Sequence, residues 1–456
     1  MRLERRRFLQ ALTGSAFAGL LGACSPSQQG QARAALPAYG RLVSDPQGLL
    51  DLPAGFRYRV IASFGERMDD GFVLPDNFDG MGCFPLDERR VVLVRNHELK
   101  ADQQAAGPVF GDGHAKVSAY DRTTRGEVLP GGTTSLTYDL MSGKVEAQHL
   151  SLVGTIRNCA GGATPWGSWL SCEEDVTRAG EGVSRDHGWV FEVPAAARRL
   201  ATPVPLTAMG RFNHEAVTVD PRTGIVYLTE DRDDSLLYRF LPNAKDDLSR
   251  GGRLQALALV ESGLIDSRNW NGIGLSQGNW QATRWIDLDG VESPGDDLRW
   301  RGHAHGALLF ARGEGIHFGY GEFYFCCTSG GTARLGQIMR YRPSRFEGQP
   351  EERSEPGQLQ SFVESTNAAD LDFGDNLTVA PNGHLIICED QYTDTAVNHL
   401  RGITPAGEIY TFAKLKVQTE LAGACFSPDG RTLFVNVFSP GKTLAITGPW
   451  AAFAHS

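Results

Sequence analysis

One pattern recurs along this chain and limits what it can fold into: an apolar strand, a Gly/Pro/Asp turn, and a second apolar strand. The clearest copy is 214–220 followed by 225–231, with 236–240 as a third strand. Segments 375–380, 384–390 and 408–412 repeat it. Others run from Asn158 through 169–174 to 189–193, and from Gly313 through 323–327 to 338–341. The first spans Asp79 to Val94 and ends at Asn96-His97-Glu98; the last is 425–430 followed by 433–436. The turns at Asp87, Trp166, Pro221, Gly319, Pro381 and Pro428 fall about 68 residues apart on average, lengthened by insertions at 99–132 and roughly 245–305. A small sheet cannot bury both faces alone, so repeated sheets stack into a closed ring. The expectation is an all-β fold, a β-propeller of about six blades with loop insertions. A pair of β-sandwiches or a β-helix would not explain the recurrent three-strand unit. Sustained 3.6-residue periodicity is absent, so helices should be few.

The chain has 456 residues and a net charge of −10, which argues against nucleic acid or anionic lipid as a partner, since both need a basic face. Its first residues read as an address. Arg5-Arg6-Arg7-Phe8-Leu9 follows the twin-arginine pattern, and an apolar run too short to span a bilayer ends in Leu21-Gly22-Ala23-Cys24, which resembles a lipobox. Cleavage after Ala32-Arg33-Ala34 is the alternative. The expected division is a twin-arginine lipoprotein signal peptide (1–24), a flexible linker (25–44) and a single propeller domain (45–456). Export by the twin-arginine machinery would deliver a monomeric periplasmic or cell-surface lipoprotein, touching the membrane only through a lipidated Cys24. Seven of the eight cysteines remain after Cys24, with no C-x-x-C spacing. Cys326 and Cys327, adjacent on a strand, should face opposite ways.

In a propeller the first strand of each blade lines the channel and the second returns antiparallel, so starts of first strands and ends of second strands share one face. Strand-one starts carry Asp79, Cys159, Glu215, Glu314 and Asp375-Asn376; the sixth blade, with Gly423-Ala424, offers nothing. Strand-two ends carry Glu98, Glu173-Glu174, Glu230-Asp231 and Glu389-Asp390. A single acidic pair is commonly just solvated, but so many carboxylates around one channel would repel one another and resist ionisation. Cations relieve this: clusters rich in oxygen, with Asn, suit calcium. Cys159 among carboxylates points to a softer, redox-capable metal such as iron, or else it is a buried structural thiol. His97 and His214 each precede a glutamate on a strand, so each should face away from it and brace the blades.

Gly154-Thr155-Ile156-Arg157-Asn158-Cys159-Ala160-Gly161-Gly162, Thr164-Pro165-Trp166-Gly167 and Cys172-Glu173-Glu174 together resemble the central motif of the PhoX family of alkaline phosphatases. Asn96-His97-Glu98, 211–215, Arg312-Gly313-Glu314-Gly315 and the terminal Ile446-Thr447-Gly448-Pro449-Trp450 are similar too, in the same order across nearly all of the mature chain. The resemblance implies an exported propeller phosphatase with two ferric ions and several calciums, hydrolysing small phosphate monoesters. Cys159 would be the iron-bridging thiolate, and Glu215 and Glu314 iron-ligating carboxylates. Glu98, Glu173, Glu174, Asp375, Asn376, Glu389 and Asp390 would divide among the calciums and remaining iron positions, with Asp79 beside them. Arg312 would hold the phosphate, with Arg157 a second candidate. This chain resembles a shorter branch, with less material between blades. Two rival readings are a propeller hydrolase using a single calcium on lactones or phosphotriesters, and a binding lipoprotein with purely structural calcium.

Overall fold

In a computed structural model, the described residues are 39–108, 117–260, 263–395 and 397–453. The expected signal peptide (1–24) lies outside them, as does the expected linker up to residue 38. Six antiparallel blades are present. The first comprises Phe78–Pro85, Arg90–His97, Gly131–Asp139 and Lys144–Thr155; the second has only Asn158–Ala163, Ser168–Glu173 and Val190–Pro194. The third is His214–Val219, Val226–Glu230, Tyr238–Pro242 and Gly252–Leu259; the fourth is Gly313–Gly319, Glu322–Cys327, Gln337–Arg342 and Gln358–Glu364. The fifth, Gly374–Val379, Leu385–Glu389, His399–Ile403 and Ile409–Leu415, is extended by Leu50–Pro53 and Leu42–Val43. The sixth joins Leu421–Phe426, Thr432–Val437 and Lys442–Thr447 to Arg57–Ser63 from the other end of the chain. The six inner strands neighbour one another in order around the channel, with the sixth beside the first.

Each pair of adjacent blades buries its own apolar cluster, which is why these strands read as apolar on both faces. Phe84, Trp169 and Phe191 fill the gap between blades one and two, and Leu170, Val217 and Leu228 that between two and three. Phe78, Met81, Phe434 and Ala445 close the ring between six and one. Cys326 faces the fourth–fifth interface and Cys327 the third–fourth, as alternation along a strand requires. All seven cysteines among the described residues are free.

Two sequence expectations need correction. The propeller begins before residue 45: Leu42 and Val43 pair with Pro53 and Leu52, and Tyr39 packs edge-on against Phe56, Phe412 and Trp450. Nor is 245–305 a plain insertion. Gly252–Leu259 is the outer strand of blade three, and Trp280–Asp287 bridges from it to Gln358–Glu364, fusing blades three and four into one nine-stranded sheet. Helix is scarce, the one α-helix being Leu298–Ala304 among the described residues, and none of them forms a helix long and apolar enough to cross a membrane.

Candidate metal centre

Two backbone devices, repeated around the ring, build one mouth of the channel. The first is a bulge in every inner strand, where pairing slips between Phe78/Met81, Asn158/Gly161, His214/Val217, Gly313/Ile316, Gly374/Leu377 and Ala422/Cys425. A bulge leaves a residue unpaired and re-aims its side chain. In the first five blades that residue is Asp79, Cys159, Glu215, Glu314 and Asp375. The second device is a hydrogen bond of 2.9–3.3 Å from the residue just past each second strand to the residue just before or at the start of the inner strand. Glu98, Glu174, Asp231, Thr328, Asp390 and Phe438 donate their N–H groups to the carbonyls of Asn77, Arg157, Asn213, Arg312, Phe373 and Glu420. Asn77, Arg157, Arg312 and Phe373 take left-handed φ values of 50°, 46°, 53° and 51°. Such a conformation is costly for a residue with a side chain and persists where the surroundings impose it, often at functional sites.

Together these devices place nine buried or half-buried side chains in a continuous arc of four overlapping triads: Asp79–Glu98–Cys159, Cys159–Glu174–Glu215, Glu215–Glu314–Asp375 and Asp375–Asp390–Glu420. Within each triad one ligand atom of every residue lies within 4.8 Å of the others. Cys159, Glu215 and Asp375 are shared between triads. Cys159 is flanked by Asp79, Glu98, Glu174 and Glu215, and Glu314 belongs to the next triad along, one step further from the thiol than expected.

Not every sequence candidate joins the arc. The Glu173 carboxylate turns into its own blade, accepting from Ile156 N (3.1 Å) and Gly188 N (3.0 Å) and meeting His187 Nδ1 at 2.6 Å. Glu389 likewise accepts from Arg401 Nε at 2.6 Å and meets His399 Nδ1 at 2.8 Å. In both Glu-Glu and Glu-Asp pairs the first residue ends the strand facing the blade and the second faces the mouth, as strand alternation dictates. His97 shows the same polarity, bonding Asp76 O and Thr134 Oγ1, and His214 meets Gly210 O and stacks on Phe212. The Asn376 amide is taken up by Gly423 N and Asp375 Oδ1.

Glu420 is the residue that sequence reasoning missed. In blade six the bulge falls on Gly423 and Ala424, and Gly423 sits at φ 60° where a Cβ would lie 2.4 Å from the Asp79 carbonyl oxygen. No side chain fits there. The carboxylate comes instead from Glu420, at the position other blades fill with Asn77, Arg157, Asn213, Arg312 and Phe373.

The arc is electrostatically stressed. Burial first, then the neighbouring carboxylates, pushes Asp79, Glu174, Glu215, Glu314 and Glu420 well above the usual carboxylate range, and Asp375 to about 7. Burial, then Asp79 and Glu215, raises the Cys159 thiol as well. Asp79 Oδ1, both Glu215 oxygens and Asp390 Oδ1 are buried with no hydrogen-bond partner. Orphaned oxygens of this kind, converging with a thiol, fit multivalent cations. Two guanidinium groups offset part of the charge. Arg157 reaches Glu98 Oε1 at 2.9 Å and Glu174 Oε2 at 2.5 Å. Arg312 holds Asp231 through two bonds of 2.8 and 3.1 Å and Glu314 Oε1 at 2.7 Å.

The model of the family described as alkaline phosphatase PhoX matches residues 37–441, nearly the whole described chain. The chain belongs to the PhoX family. It is therefore a phosphoric ester hydrolase, of a metal-dependent family whose fold is the propeller described above. Among solved structures it is similar to Pseudomonas fluorescens PhoX in complex with vanadate, a transition state analogue, at TM-score 0.65 and 19% identity over 90% of this chain and 98% of that one. A gluconolactonase, XC5397 from Xanthomonas campestris, aligns at TM-score 0.39 and 12% identity over 87% and 97% of the two chains. The Pseudomonas aeruginosa periplasmic gluconolactonase PpgL aligns at 0.38 and 14% over 82% and 86%. No curated protein sequence matches the chain.

Behind this PhoX arc, His187 lies fully buried between Glu173 (2.6 Å) and Asp121 (3.2 Å), tying the loop at 117–130 to the strand end that aims Glu174. Burial alone would depress its pKa, but the two carboxylates outweigh it and raise it to about 9. A raised histidine stabilises the fold fully below its unfolded value and loses that contribution as pH climbs through the folded one. His187→Gln is thus expected to be less stable than wild type at pH 6. The gap should narrow by on the order of 3 kcal/mol by pH 10, as read from denaturant midpoints. A gap independent of pH would refute a charged His187.

Proposed function

We propose that this chain hydrolyses phosphate monoesters at a cluster of calcium and ferric ions held by the arc. The observation that carries the reading is the run of four triads with one thiol inside it. Cys159 with Glu174, Glu215 and Glu314 would hold iron, since a thiolate selects the softer ion. Asp79 and Glu98 on one side, and Asp375, Asp390 and Glu420 on the other, would hold calcium, whose shell is all oxygen. Bound there, the ions would reverse the local charge, orient a phosphate and acidify a water for attack. The chain's own share is to fix that geometry on bulges locked into a ring, and to supply Arg312, whose planar fork matches phosphoryl oxygens. Asp231 holds that fork at the mouth.

The sequence signals support export as a folded enzyme by the twin-arginine machinery and anchoring through Cys24, in keeping with the periplasmic location of PhoX enzymes. The reading is tested by metal analysis of the purified protein alongside a generic phosphomonoester assay. Arg312→Ala should cut kcat/KM at least about thirtyfold, the loss of a charge-assisted pair worth about 2 kcal/mol or more. Activity within threefold of wild type would remove Arg312 from the site. No phosphomonoester turnover with every metal in place would overturn the monoester reading.

A further inference from the structure

The loop that follows the fifth blade's second strand carries an aromatic residue two positions beyond Asp390. Tyr392 is 73% exposed, yet its hydroxyl reaches inward and donates to Glu420 Oε1 at 3.3 Å. Asp390 and Glu420 belong to the last triad of the arc, so the phenol oxygen touches that end of the arc while most of the side chain stays in solvent. The loop is held on both sides. Gln391 N donates to Asn398 Oδ1 at 2.8 Å and Gln391 Nε2 to Asp372 Oδ2 at 3.1 Å, while the Gln418 amide bonds the Thr393 carbonyl. Among the described residues no aromatic ring packs against Tyr392, whereas Tyr227, Tyr238 and Tyr341 each pack against a neighbouring ring.

An ester whose phosphate is drawn to the arc must leave its organic part pointing out of the mouth. A large, flat and largely uncovered ring at that exit, tethered by its hydroxyl to Glu420, offers apolar area at little entropic cost, because only two side-chain torsions need fixing. We propose that Tyr392 is a specificity-determining residue, its ring a platform for aromatic or broadly apolar leaving groups, with the hydroxyl on Glu420 keeping it in place. The inference rests on the phosphatase reading above.

Kinetics of the metal-loaded full chain on two esters test it: para-nitrophenyl phosphate, with an aromatic leaving group, and glycerol phosphate, with a small polar one. Tyr392→Ala should raise KM for the aryl ester about tenfold, with kcat changed less than KM, and move KM for glycerol phosphate less than twofold. Tyr392→Phe, which keeps the ring, should bring the aryl KM back to within about threefold of wild type. Equal losses on both esters, or no recovery with phenylalanine, would overturn the platform while leaving the phosphatase intact. Wild-type protein that turns over neither ester would refute the phosphatase reading itself, and the platform with it.

Discussion

Cys159→Ala is expected to lose the softer metal and at least about a thousandfold of phosphomonoester turnover, while the propeller stays folded. The two halves of this result have separate causes. Cys159 stands where two triads meet, so its removal breaks the arc at its middle. For the fold it does little, since its Sγ makes only a long 3.6 Å bond to Asp79 Oδ2 and a contact with Glu215, both within the arc. Alanine keeps the Cβ that the inner-strand ring packs around. Iron content by elemental analysis, turnover, and far-ultraviolet circular dichroism together decide the matter. A variant that keeps turnover within tenfold of wild type, with iron retained, would return Cys159 to the role of a buried structural thiol.

Removing all multivalent cations should lower the melting temperature by about 10 °C or more. A ligand present at a thousand times its dissociation constant stabilises by about 4 kcal/mol per site, and the arc offers several sites. The chelated protein should also show an unusual pH dependence. Carboxylates whose folded pKa is raised take up protons on folding, so stability falls as pH rises from the unfolded value through the folded one. For Asp375 that window runs from about 4 to about 7. Chelated protein should therefore melt higher at pH 5 than at pH 7.5, and adding cations should help most at the higher pH. Calcium alone should restore the melting temperature, and turnover should return only when iron is supplied as well. Full turnover with calcium alone would favour a calcium hydrolase, and a melting temperature indifferent to chelator would mean the arc holds no ions.

Much of this was legible in the chain because blade units announce themselves twice, by apolar pairs of strands and by the turns between them. The five bulge residues were readable for the same reason, each standing at the start of a unit. What could not be read was direction. Glu173-Glu174 and Glu389-Asp390 each look like two candidates, but only the second of each faces the mouth, and register fixes which. The single Glu98 after His97 held the clue, since the same strand position is an inward-bonded histidine there. Glu420 was hidden for a different reason. It lies before its strand, where other blades carry Asn, Arg or Phe, and its role follows from Gly423 having no room for any side chain. The strand Trp280–Asp287 escaped notice because its partners lie in two different blades.

The sixth blade is completed by Arg57–Ser63 pairing with Lys442–Thr447, residues from opposite ends of the chain. This has a consequence for the order of events during synthesis. Until Lys442–Thr447 is made, Arg57–Ser63 has no partner strand and the sixth blade is incomplete beside the first. The final strand must emerge before the ring can close on itself.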